Sequence, residues 1–308
     1  MKSEIDLKLQ KIPVYKRPKF YILAVLSLLF GLLLILIISV IALRWVNPSS
    51  TSFTYQQDWD ELGVERYSLR ENWVVYEDLP EHASWAVVAA EDQLFWEHRG
   101  FDFESIQEAW EDRQDGVRSR GASSITQQVA KNLYLSPSET LIRKGIEAGI
   151  TVLIELFWSK ERIIEVYLNI AEFGPGVFGI GKASIHFFDL PAQELEPTMT
   201  AQLAAVLPSP KRMRVNPPSP FAKERSEWIL RQMTQLSGVV YVEPEDAEIE
   251  APEFSESSPE TLLSDSLLHM APDMTDTVQT ENTPDSAAIA DTLFHNVHRD
   301  TLQSLREY

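Results

Sequence analysis

The pattern of hydrophobic and polar residues divides the chain into four regions. Residues 20–43 form an uncharged, almost wholly apolar run of 24, and a membrane-spanning helix needs about 20 such residues. Residues 45–240 place apolar side chains mostly at helical spacing, and this periodicity is lost from 241 onward. We therefore predict a basic tail over 1–19, a transmembrane helix over 20–44, a folded domain over 45–240 and a disordered acidic tail over 241–308.

The folded domain is predicted to be mainly helical. Ser124 and Gln127 form a capping-box pattern at the start of one helix, and the dense apolar positions over 140–157 predict a nearly buried helix. Two segments, 72–77 and 239–242, look strand-like, and the glycines over 174–181 predict a turn-rich segment. The predicted helices cover 80–91, 103–113, 124–134, 140–157, 159–169, 198–207 and 222–236.

Charged residues flank the apolar run unequally, which predicts its orientation. Beyond Arg44 the next basic residue is Arg66, so the positive-inside rule places the N-terminus in the cytoplasm and the folded domain outside it. A secretory signal peptide would have a shorter core and a cleavage site with small residues, which 44–48 lack. The basic residues before the run are Lys2, Lys8, Lys11, Lys16, Arg17 and Lys19.

The formal net charge of −19 is concentrated in the C-terminal tail. Residues 243–308 contain sixteen Asp and Glu against two Arg, so this segment carries −14 and the first 242 residues carry only −5. A nucleic-acid partner is excluded because it would require a basic surface. The chain has no cysteine, which also excludes disulfides, a thiol nucleophile and cysteine-ligated zinc.

Two adjacent carboxylates follow an apolar helix and are the first candidates for chemistry. The apolar residues 85–90 lead directly into Glu91 and Asp92, and His98, Gly100 and Asp102 come next. Carboxylates are rarely buried unless they are paired or functional. A carboxylate at the end of such a helix, close to a second one, should have a raised pKa and could serve as a general base.

Two further helical segments carry a polar or charged face. Ser124, Gln128 and Lys131 share one face, and the helix N-terminus together with Lys131 suits an anion such as phosphate. Arg143 and Glu147 are spaced to form an ion pair on the next helix. Taken alone, the first face could be an ordinary solvated surface and the second a helical salt bridge, although the apolar residues after Glu147 favour a partly buried carboxylate.

Five segments in order resemble the glycosyltransferase family 51 domain of bacterial peptidoglycan synthases, over about residues 59–236. The most specific are Glu-Asp-x-x-Phe-x-x-His-x-Gly-x-Asp, from Glu91, and Ser-x-Ile-Thr-Gln-Gln-x-x-Lys-Asn, from Ser123. The resemblance implies a mainly α, lysozyme-like domain behind a single N-terminal transmembrane helix. With no transpeptidase region, the chain is similar to the monofunctional members of the family.

The resemblance also implies a reaction and roles for individual residues. Lipid II, a disaccharide-peptide on undecaprenyl pyrophosphate, would be polymerised into glycan strands with inversion and release of undecaprenyl pyrophosphate. Glu91 matches the general base that activates the acceptor hydroxyl. Glu147 matches the second essential carboxylate, which orients the donor. The expected substrate-binding residues are Asp92, Phe95, His98, Ser124, Gln128, Lys131, Arg143 and Lys144.

By the same resemblance, the protein would lie in the bacterial cytoplasmic (inner) membrane with its catalytic domain in the periplasm. Its partners would be lipid II, the nascent glycan strand, the membrane and other cell-wall synthesis or division proteins. Many members use a divalent cation, Mg²⁺ or Mn²⁺, although the sequence shows no dedicated protein site for it. Glu139 departs from the family pattern, because many members carry a basic residue there.

Two other functions are consistent with parts of the sequence. A lysozyme-like enzyme that cleaves peptidoglycan would also use a glutamate near a sugar, but it would not need the cationic residues or the transmembrane helix. A non-catalytic scaffold of the cell-wall machinery could use the acidic tail to bind partners. Retention of Glu91, Glu147, Lys131 and Arg143 favours an active synthase.

Overall fold

The structure is a computed structural model that describes residues 18–114, 123–138 and 140–241. The predictions made for the basic tail before residue 18, for Glu139 and for the acidic tail from 242 lie outside the described residues.

The described residues form eleven α-helices and one small antiparallel sheet, which confirms the prediction of a mainly α protein. The sheet pairs β1 (Glu172–Gly174) with β2 (Val177–Phe178). Short 3-10 helices cover Leu69–Asn72, Tyr76–Asp78 and Ala192–Glu194. The α-helices are α1 Pro18–Leu43, α2 Ser52–Gln56, α3 Trp59–Leu62, α4 Glu81–Glu91, α5 Phe103–Gln114, α6 Ile125–Tyr134, α7 Leu141–Phe157, α8 Lys160–Ile170, α9 Ile180–Phe188, α10 Pro197–Ala205 and α11 Pro220–Ser237.

Helix α8 lies at the centre of the domain, because every residue from Ile163 to Ile170 is buried. Helix α6 packs against α8 on one side and against α7 on another, and α4 packs against α10 and α11. Ser159 caps α8 by accepting a hydrogen bond from the amide of Arg162. The end of α4 meets the start of α6 through Asp92, whose carboxylate accepts from the amide of Ile125 at 2.9 Å, and the candidate catalytic segments lie at this junction.

Helix α1 is long and apolar enough to cross a membrane, with a mean hydropathy of 3.1 over its most apolar window. Its C-terminal end contacts α7 and is fastened to the domain by side chains. The indole of Trp158 donates to the carbonyl of Val40 at 2.8 Å, and Arg162 donates to the carbonyl of Leu43 at 2.8 Å. These bonds satisfy carbonyls near the helix end and fix its orientation relative to the domain.

Helix α7 is not nearly buried, so that part of the prediction was wrong. One face packs inward through Ile150 and Ile154, whereas the opposite face is exposed along its whole length. Helical periodicity shows that a helix is apolar but does not show what covers it. The exposed apolar side chains are Leu141, Ile142, Ile146, Val152 and Leu156.

The strand predicted over 72–77 is also absent, and the residues over 239–241 are not a strand either. Val74 lies between the 3-10 helices Leu69–Asn72 and Tyr76–Asp78, next to α8. The side-chain amide of Asn169 accepts from the Val74 amide at 2.8 Å and donates to the Val74 carbonyl at 2.7 Å. An asparagine side chain thus takes the place of a neighbouring strand, and the backbone groups need no sheet.

The glycine-rich segment predicted as turn-rich contains the turn of the β1–β2 hairpin, and the helix α9, which was not predicted, begins at its end. Gly179 precedes α9 with φ 84°, a conformation that glycine adopts without strain. Gly181 lies inside the helix, where a Cβ atom would collide with the carbonyl of Asn72. This glycine therefore serves a close approach between two chain segments rather than a turn.

Candidate active site

Glu91 is the last residue of α4, and its carboxylate is held by two donors from distant parts of the chain. Gln128 Nε2 donates to Oε2 at 3.0 Å, and Arg225 Nη2 lies 3.3 Å from Oε1. Burial raises the pKa of Glu91, while Arg225, Gln128 and Lys131 oppose the rise. The predicted increase is therefore confirmed, but its main cause is burial, and the neighbouring Asp92 contributes least. A carboxylate with these properties is suited to accept a proton near neutral pH.

Asp92 is buried and connects the end of α4 to the start of α6. One carboxylate oxygen accepts from His98 Nε2 at 2.7 Å, and the other accepts from the amide of Ile125 at 2.9 Å. The amide of Gly100 donates to His98 Nδ1 at 3.1 Å, so this nitrogen is an acceptor and the ring proton lies on Nε2. Asp92 and His98 together set the position of α6 relative to Glu91.

This contact corrects the expectation that the N-terminus of α6 would bind a phosphate. The amide of Ile125 is already bonded to Asp92, and the amide of Gln127 donates to the hydroxyl of Ser124 at 3.2 Å. The anion at this helix terminus is the carboxylate of Asp92 itself. The reciprocal bond, from the Ser124 amide to the Gln127 side chain at 2.9 Å, confirms the predicted capping box.

Phe95 and Ser124 lie beneath the surface rather than at it. Phe95 is fully buried, and the ammonium of Lys160 lies 4.3 Å from the centre of its ring. Besides capping α6, the Ser124 hydroxyl donates to the carbonyl of Gly100 at 2.7 Å. The polar atoms of Ser124, Asp92 and His98 are thus hydrogen-bonded within the protein, and these bonds hold the end of α4 and the start of α6 in place.

Glu147 is the second buried carboxylate, with only 1% of its surface exposed. Arg143 donates to Oε2 at 2.6 Å and Lys144 donates to Oε1, while Lys144 also reaches the hydroxyl of Ser123 at 3.2 Å. The predicted ion pair between Arg143 and Glu147 is thus present, and Lys144 completes it. Two cations around one buried carboxylate leave a net positive charge at this point.

Lys131 links the two carboxylates electrostatically. Burial lowers the pKa of Lys131, Lys144 and Arg143 lower it further, and the charges of Glu147 and Glu91 oppose this. Its ammonium lies 5.8 Å from the ring centre of Phe53 and has no hydrogen-bond or ion-pair partner among the described residues. A partly buried cation without a partner is suited to bind an anionic group of a ligand.

A cavity of about 370 Å³ opens beside these residues. Its lining comes from three parts of the chain. They are α6 with Gln128 and Lys131, the α8–β1 region with Tyr167 and Glu172, and the segment after α10 with Lys211. Glu172 accepts from the amide of Gly176 at 3.2 Å, and its pKa is raised mainly by burial. The cavity is a polar cleft in direct continuity with the partners of Glu91.

Two residues of the site were not identified from the sequence. Arg225 contacts Glu91 from α11, 134 positions along the chain, and nothing in its local pattern distinguishes it from other surface arginines. Tyr167 donates to Gln128 Oε1 at 3.2 Å from α8. It lies in the segment 160–169 that supports the family resemblance, and this was the one signal that could have identified it.

Comparison with known proteins gives a family and several relatives. The family model described as transglycosylase matches residues 59–234, which is more than half of the chain. A protein of Ectopseudomonas mendocina (strain ymp) is 46% identical over 218 residues, covering 70% of this chain and 90% of the relative. One from Xanthomonas euvesicatoria pv. vesicatoria (strain 85-10) is 46% identical over 210 residues, covering 67% and 84%.

A protein of Pseudomonas aeruginosa is 44% identical over 209 residues, covering 67% of this chain and 89% of the relative. All three relatives are named biosynthetic peptidoglycan transglycosylase. The matched region contains the two carboxylates, Glu91 and Glu147, and the charged residues around them, up to Arg225. The resemblance found in the sequence is thereby confirmed, and the chain belongs to the transglycosylase family of glycosyltransferases that act in peptidoglycan synthesis.

Proposed function

We propose that the protein polymerises lipid II into glycan strands and releases undecaprenyl pyrophosphate, with Glu91 as the general base. The acceptor sugar hydroxyl gives its proton to Glu91 while its oxygen forms a bond to the anomeric carbon of the donor. The bond from that carbon to the pyrophosphate breaks, and the electron pair leaves with the phosphate oxygen. Attack from the opposite face inverts the configuration at the anomeric carbon.

The observation that carries this proposal is the environment of Glu91. Burial raises the pKa of its carboxyl group, and two donors, Gln128 and Arg225, fix its orientation. A general base works best when its pKa is near the operating pH and its geometry is fixed before the reaction. Gln128, which donates to Glu91, also lines the polar cleft, so the carboxylate lies next to a space that a substrate could occupy.

The cationic residues Lys131, Arg143 and Lys144 could bind the negatively charged pyrophosphate leaving group. Arg143 and Lys144 surround Glu147, and Lys131 is the cation without a partner among the described residues. We propose that Lys131, Arg143 and Lys144 bind the pyrophosphate and that Glu147 holds the two cations of α7 in place. Negative charge that develops on the departing phosphate would be stabilised by these preformed cations.

We propose that any Mg²⁺ or Mn²⁺ that assists the reaction is held mainly by the substrate. No group of three His, Asp or Glu side chains among them could hold a metal ion, and the carboxylates of Asp92 and Glu147 are bonded to protein donors. A divalent cation would have to take its ligands largely from substrate phosphates and water. We therefore assign no step of the reaction to it.

We also propose that the protein is a single-pass protein of the bacterial cytoplasmic membrane, with the catalytic domain on the periplasmic side. Helix α1 supplies the span and contacts α7, whose outward face is apolar. Leu141 is 93% exposed and Ile142 is 79% exposed, which is costly in water but favourable in lipid. The attachment of α1 through Trp158 and Arg162 would hold this face against the outer leaflet.

The absence of cysteine makes this placement directly measurable. Leu141→Cys and Glu224→Cys, each labelled with a polarity-sensitive fluorophore in the full chain, place the probe on the apolar face of α7 and on the polar surface of α11. In lipid nanodiscs the label at 141 should emit at shorter wavelength and be quenched by brominated lipid. Equal emission and quenching at 141 and 224 would contradict a membrane-embedded α7.

The reaction is tested with the purified full-length protein and lipid II. The wild type should produce glycan polymer, whereas Glu91→Gln should produce none while it remains folded and membrane-bound. Glu97→Gln makes the same chemical change at an exposed position six residues away and should leave activity intact. Cleavage of finished peptidoglycan without polymerisation would identify a hydrolase instead, and inactivity towards both substrates would favour a scaffold.

A further inference from the structure

Glu91 and Gln128 belong to a chain of hydrogen bonds that continues into the core. Gln128 donates from Nε2 to Glu91 and accepts at Oε1 from the hydroxyl of Tyr167, 3.2 Å away. Tyr167 is 1% exposed, and among the described residues Gln128 is the partner of its hydroxyl. These two hydrogen bonds therefore connect the buried helix α8 to the carboxylate that we propose as the base.

The direction of these bonds is set by Tyr167 as well as by Glu91. Burial raises the pKa of Tyr167 well above its usual value, and the charges of Glu91 and Asp92 raise it further while Arg225 opposes them. The phenol consequently keeps its proton and donates it to Gln128 Oε1. With Oε1 occupied, the amide nitrogen of Gln128 is the end that faces Glu91.

This constraint matters most when Glu91 becomes protonated. A glutamine that was free to rotate could turn its carbonyl oxygen towards Glu91 and accept a hydrogen bond from the protonated carboxyl group. That turn would stabilise the protonated base and raise its pKa, whereas an amide N–H donor stabilises the ionised form. A bonded Oε1 makes the turn unfavourable, because the tyrosine hydroxyl would lose its acceptor in a buried place.

We infer that Tyr167 is a positioning residue of the reaction, which holds the Gln128 amide in the orientation that keeps Glu91 ionised and ready to accept a proton. The inference rests on the proposed role of Glu91 as the base. The other charged groups around Glu91 are Arg225 on α11, Lys131 on α6 and the adjacent Asp92. Arg225 and Lys131 also favour the ionised form, but neither contacts the carbonyl end of Gln128.

The inference is tested by the pH dependence of lipid II polymerisation by the full-length enzyme. Tyr167→Phe removes one oxygen atom and should lower kcat at pH 7 by about five- to tenfold, with little change in KM. The acidic limb of the rate profile should move to higher pH. Tyr134→Phe removes a hydroxyl of the same kind, bonded to Ser39 at 3.1 Å, and should behave as the wild type.

A double-mutant cycle shows whether Tyr167 acts through Gln128. Gln128→Met keeps the shape of the side chain but removes both ends of the amide, and it should move the acidic limb in the same direction. Adding Tyr167→Phe to Gln128→Met should then have no further effect on that limb. If Tyr167→Phe lowers the unfolding temperature too far for kinetics, Gln128→Met alone still tests the inference, because an unchanged acidic limb in that variant would contradict it.

Three results would overturn the inference. They are an unchanged acidic limb in folded Tyr167→Phe, an unchanged limb in Gln128→Met, or the same shift from Tyr167→Phe with and without Gln128. Each of these leaves the polymerisation reaction itself intact. A wild type that fails to polymerise lipid II would instead overturn the proposed function, and the role of Tyr167 with it.

Discussion

Replacing Arg225 by methionine removes the charge that lies 3.3 Å from Glu91 while keeping much of the side-chain volume. At this distance two unit charges interact by about 1 kcal/mol in water and by about 5 kcal/mol at an effective dielectric constant of about 20. The side chains of Arg225 and Glu91 are only 14% and 15% exposed, so the interaction lies between these limits. Even the lower limit is most of one pKa unit, so on the acidic limb of the pH profile kcat should fall by about five- to tenfold.

The direction follows from the effect on the base. Arg225 lowers the pKa of Glu91 against the increase caused by burial. Without Arg225 this pKa rises, a smaller fraction of Glu91 is ionised at neutral pH, and the acidic limb of the kcat profile moves to higher pH. At a pH well above the new pKa, Glu91 is fully ionised again and kcat should recover.

The assay is lipid II polymerisation across pH at low and high salt, with the unfolding temperature measured in parallel. Arg225→Lys keeps the charge and should show a smaller shift. Arg231→Met removes the same charge from the same helix, and should leave the profile unchanged. An unshifted acidic limb in Arg225→Met would refute the electrostatic reasoning, and a loss of kcat that persists at high pH would show that Arg225 acts by positioning.

Three further predictions concern the support of the site and the tail. Gly100 has φ +87°, and a Cβ atom there would lie 2.8 Å from a methyl group of α7, so Gly100→Ala should lower the free energy of unfolding by about 2–4 kcal/mol in urea denaturation. Gly63→Ala, with φ +62° but open space around it, should cost only about 1 kcal/mol, and equal costs would contradict the packing argument. Glu147→Gln should leave Arg143 and Lys144 without their shared carboxylate and lower kcat/KM for lipid II by roughly tenfold or more, whereas exposed Glu161→Gln should not, and an active Glu147→Gln would exclude the proposed role. Deletion of 243–308 should leave polymerisation intact, and loss of activity in a folded, membrane-bound truncation would show that the tail contributes to catalysis.

Seven of the ten α-helices described in the domain were predicted from the sequence, and the three that were missed are α2, α3 and α9. The predicted start of α6 at Ser124 agrees with the structure because its capping box forms between residues three apart. The carboxylate–cation spacing on α7 likewise predicted the bond between Arg143 and Glu147. Both features depend on atoms within one turn of the same helix, and local geometry brings these together in any fold that keeps the helix.

Predictions failed where a distant segment replaced a local partner. The extended residues around Val74 bond to the side chain of Asn169, 95 positions away, instead of to a strand. Helix α9 contains Gly181 because the carbonyl of Asn72 passes too close to leave room for a side chain at that position. The apolar positions of α7 were recognised from the sequence, but only the packing of its neighbours shows that the described residues leave one face of the helix exposed.

The sequence by itself determined the apolar span, the mainly helical domain, the family and the two carboxylates that we place in the reaction. Only the tertiary structure showed that Asp92 occupies the start of α6, and that Arg225 and Tyr167 control the surroundings of Glu91. The physical reason is the separation along the sequence over which each kind of interaction acts. Helix periodicity and capping act over a few residues, whereas the charge and hydrogen bonds around a buried carboxylate depend on side chains that packing brings from three different helices.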